Sequence, residues 1–160
     1  MRKSWTGASK SMPPDAPSAG SPADWLRHAR SDLALAGVRK TRKLLYEHLC
    51  FHAQQAAEKA LKAVLVHHKI RVPKSHDLGY LMDLLPGDVS VPVSLVDLPV
   101  LTTYAVQQRY PAEVPPLTNK NRQHAVQLAE AAVSWASQMT HDKRKAAKGL
   151  QKPGDKKRAK

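Results

Sequence analysis

The sequence predicts an all-α protein, an antiparallel up-and-down bundle of four to five helices. Three observations predict it. Long stretches carry apolar residues at helical spacing, and Pro and Gly fall mostly between those stretches. No two segments alternate in the manner of a convincing pair of strands.

Residues 1–20 are rich in Ser, Pro, Gly and Ala with almost no large apolar side chain, and read as a disordered segment. Order is expected to begin at SPADWLRHARSDLALAGV. Ser21 suits an N-cap, Pro22 the first helical position, and Asp24 follows three residues after the cap. Trp25, Leu26, Ala29, Leu33 and Ala36 then form an apolar stripe, which Gly37 weakens at its end. A second helix is expected from about Lys43 to Lys69, because neither Pro nor Gly interrupts the chain before Pro73.

Its centre, CFHAQQAAEKALKAVL, has two faces. At about 100° per residue, Leu49, Ala53, Ala57, Ala60 and Val64 share one stripe, flanked by Cys50, Ala56 and Leu61. Gln55, Glu58 and Lys62 fall opposite, and Phe51 and Leu65 fall with them. Glu58 and Lys62 are spaced for an i,i+4 ion pair on an exposed surface. The apolar residues among them instead suggest a subunit interface or cleft wall formed by Phe51, Gln55, Glu58 and Lys62.

SHDLGYLMDLLPG predicts a third helix of roughly three turns, opened by His76-Asp77 and stopped by Pro86 and Gly87. Residues 88–98 alternate partly like a strand, but Pro92 and Pro99 argue for a loop. A fourth helix is expected at about Leu98–Tyr110, ended by Pro111. The last runs from about Asn119 to Gln138, capped by Thr118, with Ala125, Leu128, Ala129, Ala132, Val133 and Trp135 on its apolar face. The chain thus divides into a segment 1–20, a bundle 21–140 and a basic, disordered tail 141–160.

The formal net charge is +13 over 160 residues. The last twenty residues carry +7 and the first twenty +2, so only +4 belongs to residues 21–140. The tail could bind polyanions without specificity or serve as a solubilising extension. Cys50 is the single cysteine, which excludes an internal disulfide and fits a reducing compartment. No apolar run is long enough to cross a bilayer and no signal-peptide pattern opens the chain, so a cytoplasmic location without membrane contact is expected. No cofactor is indicated. His48 and His52 are four apart on one helix, but no second ligand pair accompanies them, so no metal site is expected.

The Trp25, Asp32 and Leu33 helix, HAQQAAEKALKAVL, SHDLGYLMDLL and the later Arg109-Tyr110-Pro111 occur in an order and spacing that resembles the HEPN domain family, named for higher eukaryotes and prokaryotes nucleotide-binding. The resemblance covers about residues 22–138. It implies a four- or five-helix bundle, usually homodimeric, associated with RNA or nucleotide chemistry. It also implies a minimal nucleotidyltransferase as partner in a toxin–antitoxin or regulatory pair.

A large subset of that family are metal-independent ribonucleases. Their signature is an Arg followed four to six residues later by a His at the start of the last long helix. After Arg109 the chain reads YPAEVPPLT, without that His. The spacing recurs at Arg42–His48 and Arg71–His76, which roughly matches chance for ten Arg and eight His. The expectation is therefore a binding module, with a ribonuclease toxin using a displaced Arg/His pair, or a purely structural dimer, as alternatives.

Two groups of residues could carry chemistry. Arg109, Tyr110, Lys120 and Arg122 could frame a nucleotide or anion site, because exposed amides at a helix start beside cations suit a phosphate. The bland reading is surface charge, with Arg109 merely complementing a helix C-terminus. His76 and His124 are the candidates for proton transfer near neutral pH. For His76, capping and loop hydrogen bonds are the ordinary alternative.

Overall fold

The structure, a computed structural model, describes residues 18–107 and 115–149. Among these, five α-helices are present and no strand: α1 Pro22–Ala36, α2 Tyr46–His67, α3 Leu78–Asp83, α4 Thr102–Gln107 and α5 Asn119–Gly149. The expected helical bundle is the observed one. No helix among the described residues is long and apolar enough to cross a membrane.

The start of α1 follows from its sequence. The Ser21 hydroxyl accepts the Asp24 amide at 3.1 Å, and the Asp24 carboxylate accepts the Gly20 amide at 3.1 Å. This reciprocal cap satisfies donors that the first helical turn would leave bare. Arg27 and the Gly20 amide hold the Asp24 carboxyl below its ordinary value.

α2 is the axis of the bundle. It packs along α1 and α5 and also meets α3 and α4. Thirteen of its twenty-two residues are buried, too many for a single stripe, so the helix is enclosed on more than one side. Alanine makes this possible: Ala53, Ala56, Ala57, Ala60 and Ala63 of α2 face a core that includes Ala29, Ala36, Ala125, Ala129, Ala132 and Ala136. Short side chains let helix axes approach closely. Leu26, Leu61, Leu65, Leu78, Leu81, Leu95, Leu98 and Leu101 fill the volume that remains. Cys50 is fully buried, and burial pushes its thiol up to about 11, an inert small hydrophobe.

The helix ends differ from the sequence expectations for identifiable reasons. α2 stops at His67, before the expected Lys69, through a cap that the sequence does not advertise. Lys69 adopts a left-handed backbone (φ 61°), and its amide and that of Ile70 donate to the carbonyls of Val66 and Leu65. Glycine ordinarily occupies that position. α3 is six residues long rather than roughly three turns; Asp77 caps it by accepting the Tyr80 amide at 3.1 Å.

Between α3 and α4, Pro92 and Pro99 open two short 3-10 turns, Val93–Leu95 and Leu98–Leu101, and no strand forms. α4 consequently starts at Thr102, later than expected. Thr118 caps α5 in a reciprocal arrangement with Asn121. α5 does not end near Gln138 but continues to Gly149, so residue 140 is not a helix boundary and part of the basic segment is helical.

Lys69 yields a test of the cap. A non-glycine residue in the left-handed region carries a penalty of about 1 kcal/mol, partly offset by the entropy glycine loses on folding. Lys69→Gly should therefore raise the unfolding free energy by about 0.5 kcal/mol in urea titration. A loss of stability would show that the Lys69 side chain holds the turn.

Candidate functional site

The polar residues of α2 organise around one carboxylate. Glu58 is 3 % exposed and lies midway along the central helix. An unpaired carboxylate there would be strongly disfavoured, so donors surround it. Lys62, one turn on, donates to Oε1 at 2.7 Å. Gln54, one turn back and fully buried, donates to Oε2 at 3.0 Å, and Gln55 makes a longer contact at 3.4 Å. Gln55 also donates to the Gln54 side-chain carbonyl at 2.8 Å.

A further partner comes from outside the helix. His76 Nδ1 lies 3.1 Å from both Glu58 oxygens, in the segment that leads into α3. Gln54 donates to the backbone carbonyl of the same His76 at 3.2 Å, which ties the segment to α2 twice. A carboxylate accepts only, so Nδ1 carries the proton and Nε2 is left outside the network. The His76 side chain is 62 % exposed. The result is a surface imidazole oriented by a buried carboxylate.

α1 closes the network on the other side. The Lys62 ammonium lies 5.6 Å from the centre of the Trp25 ring, a cation–π contact that shields the ion pair from water. Farther along, Asp32 of α1 accepts from Lys59 and pairs with His52 Nδ1 at 2.9 Å, both on α2. Because α1 and α2 are antiparallel, Trp25 meets Lys62 while Asp32 meets Lys59 and His52.

The expected interface or cleft group is thus divided. Gln55, Glu58 and Lys62 share the network, and the Glu58–Lys62 pair is buried within the chain rather than lying exposed. Phe51 is two turns away and lines a groove beside α1. Gln54, Asp32 and Lys59 have polar roles that sequence reasoning missed. Gln54, Glu58 and Lys62 form an i, i+4, i+8 polar row, a signal present in the sequence.

The expected anion site is also altered. Arg122 does not join Lys120. Its guanidinium donates to the carbonyls of Ala36, Gly37 and Val38 at 3.3, 3.0 and 3.1 Å, completing the C-terminus of α1 where Gly37 ends the helix. Two residues apart on α5, the two side chains leave the helix on nearly opposite sides.

Lys120 and His124 are exposed and line an open concavity of about 600 Å³ with Asn121, Gln123 and Gln127. His124 also borders a smaller hollow against Val96, Pro99 and Val100. His76 is in neither wall. Arg109 and Tyr110 lie outside the described residues. Among the described residues, no group of three or more His, Cys, Asp or Glu side chains could hold a metal ion.

Comparisons with known proteins place this geometry in context. A family model of the HEPN domain matches residues 22–140. The structure is similar to that of TT1696 from Thermus thermophilus, at 32% identity over 75% of this chain and 98% of that one, with a TM-score of 0.64. It is also similar to ST0689, described as an archaeal HEPN homologue, at 26% identity over 74% of this chain and 98% of that one, with a TM-score of 0.59. No curated protein matches the chain.

The buried network has a measurable signature. Lys62→Met removes the cation but leaves the carboxylate buried, and should lower the unfolding free energy by about 3 kcal/mol. Combining it with Glu58→Gln removes the uncompensated charge and should restore most of that loss. If the double variant is no more stable than Lys62→Met, packing against Trp25 rather than charge pairing is what Lys62 contributes.

Proposed function

The chain belongs to the HEPN domain family, and on that premise we propose that it acts as the binding partner of a minimal nucleotidyltransferase. It would do so as a homodimer associated with nucleotide or RNA, in a toxin–antitoxin or other regulatory pair. The supporting observation is the commitment of its cations. Lys62 and Lys59 pair with buried carboxylates, and Arg122 completes the end of α1. Lys120 and His124 remain on an open face at the start of α5. Such a face suits an anion, because an exposed ammonium beside an imidazole can meet a phosphate without enclosing it. Binding follows from these groups; bond cleavage would need an oriented proton-transfer group beside them.

A ribonuclease reading has one observation in its favour. Glu58 fixes the tautomer and orientation of His76, as a carboxylate does for a histidine that moves protons. Arg71 precedes His76 at the spacing noted above. Cleavage would then centre on His76, away from Lys120 and His124.

Co-expression with the product of an adjacent nucleotidyltransferase gene, where one is present, should yield a complex that survives size exclusion at moderate salt. Lys120→Ala combined with His124→Ala should weaken nucleotide or RNA binding by about tenfold. Single-stranded RNA incubated with the protein in EDTA should remain intact. Cleavage that His76→Ala abolishes, with the variant still folded, would replace the binding reading with the ribonuclease one.

A further inference from the structure

The α2 stripe that holds Glu58 and Lys62 is covered by His76 and Trp25, but it opens at Phe51. There the last turn of α1, the connecting loop and the first turns of α2 enclose a groove of about 350 Å³. Leu35, Val38, Leu44 and Phe51 make it mainly apolar, with His48 and His52 also in its wall. Leu35 is 45% exposed, Val38 42% and the neighbouring Leu45 54%. Apolar surface gathered at a concavity marks a site of association more than scattered exposed residues do.

The rim has the opposite character. The loop GVRKTRKLL carries Arg39, Lys40, Arg42 and Lys43 and no carboxylate. Arg39, Arg42 and Lys43 are exposed, while Lys40 lies over the Tyr46 ring. The carboxylates of the adjoining helices are engaged: Asp32 with His52 and Lys59, and Glu47 with the Leu117 amide at 2.9 Å. The groove therefore combines an apolar floor with a basic edge of four cations, which the nearby Glu47 carboxylate offsets only in part.

We infer that this groove docks an acidic amphipathic helix of a different protein. Apolar side chains spaced i, i+3 or i+4, and i+7 enter the hollow, and carboxylates on the flanks meet residues 39–43. Charge argues against this chain as its own occupant. The bundle of a second copy is itself net positive, at +4, and brings another basic loop of Arg39, Lys40, Arg42 and Lys43, while the last twenty residues carry +7. RNA phosphates could meet the rim, but of the side chains lining the hollow only His48 and His52 are polar, and His52 is paired with Asp32. The inference stands apart from the identity of any nucleotidyltransferase partner.

The test uses the full chain and a fluorescein-labelled helical peptide with Leu at heptad a, d and e positions and Glu at most others. Fluorescence anisotropy at low salt should give a dissociation constant in the micromolar range. Leu35→Glu, at an exposed position, should weaken binding by about tenfold, and Arg39→Ser with Arg42→Ser by about threefold. A peptide with Lys replacing Glu should not bind, and thermal melts should show each variant folded. The proposal is overturned by no binding below about 100 µM, by Leu35→Glu binding as wild type does, or by equal binding of the Lys peptide. It is also overturned if Leu35→Glu dissociates a homodimer in sedimentation, since the groove then belongs to a second copy. Loss of oligo-uridine binding in that variant, with peptide binding unchanged, would assign the groove to RNA instead.

Discussion

A carboxylate occupies a place in this bundle where an apolar side chain would ordinarily close the core. Glu58 lies on the most enclosed helix, and its burial requires donors from every direction. α2 supplies Gln54, Gln55 and Lys62 from its own row. The segment before α3 supplies His76, and α1 supplies the Trp25 ring that shields the ammonium. Three parts of the chain are thus positioned by one negative charge. A buried ion pair of this kind adds little net stability over an apolar alternative, while its partners are strongly constrained once it exists. Its visible consequence is a histidine held in one orientation at the surface.

The surrounding packing explains how the charge can sit so deep. Alanines along α2 meet alanines of α1 and α5, so the helices approach closely and exclude water without large side chains. Close approach also places the end of α1 within reach of Arg122 on α5, which satisfies carbonyls that the last turn leaves bare. The same contact removes Arg122 from any role in holding phosphate. Packing and ligand binding compete here for one cation, and packing has it.

Among the described residues, two surfaces left open by these demands contrast in character. One, at the start of α5, is polar and carries Lys120 and His124. The other, between α1 and α2, is apolar with a basic edge. They differ because α2 runs out of covering elements at Phe51, whereas the start of α5 projects its polar side chains outward. The exposed imidazole of His76 belongs to neither, since the Glu58 carboxylate draws it to the side of α2.

Local sequence determined the helices, the Ser21 and Thr118 caps and the apolar stripe of α2, because capping and periodicity are short-range properties. It also placed Glu58 and Lys62 one turn apart. The left-handed turn at Lys69 was not legible, because no glycine marks it and the amides of Lys69 and Ile70 close it on α2. Nor was the length of α5, whose polar final turns carry no stop signal before Gly149. Only the tertiary structure decided that the Glu58–Lys62 pair is buried, that Gln54 and His76 complete it, and that Arg122 turns toward α1. Each of these joins residues far apart in sequence or depends on which neighbour covers a helix face. Periodicity gives the face a residue occupies, and the packing of the other helices decides what lies against it.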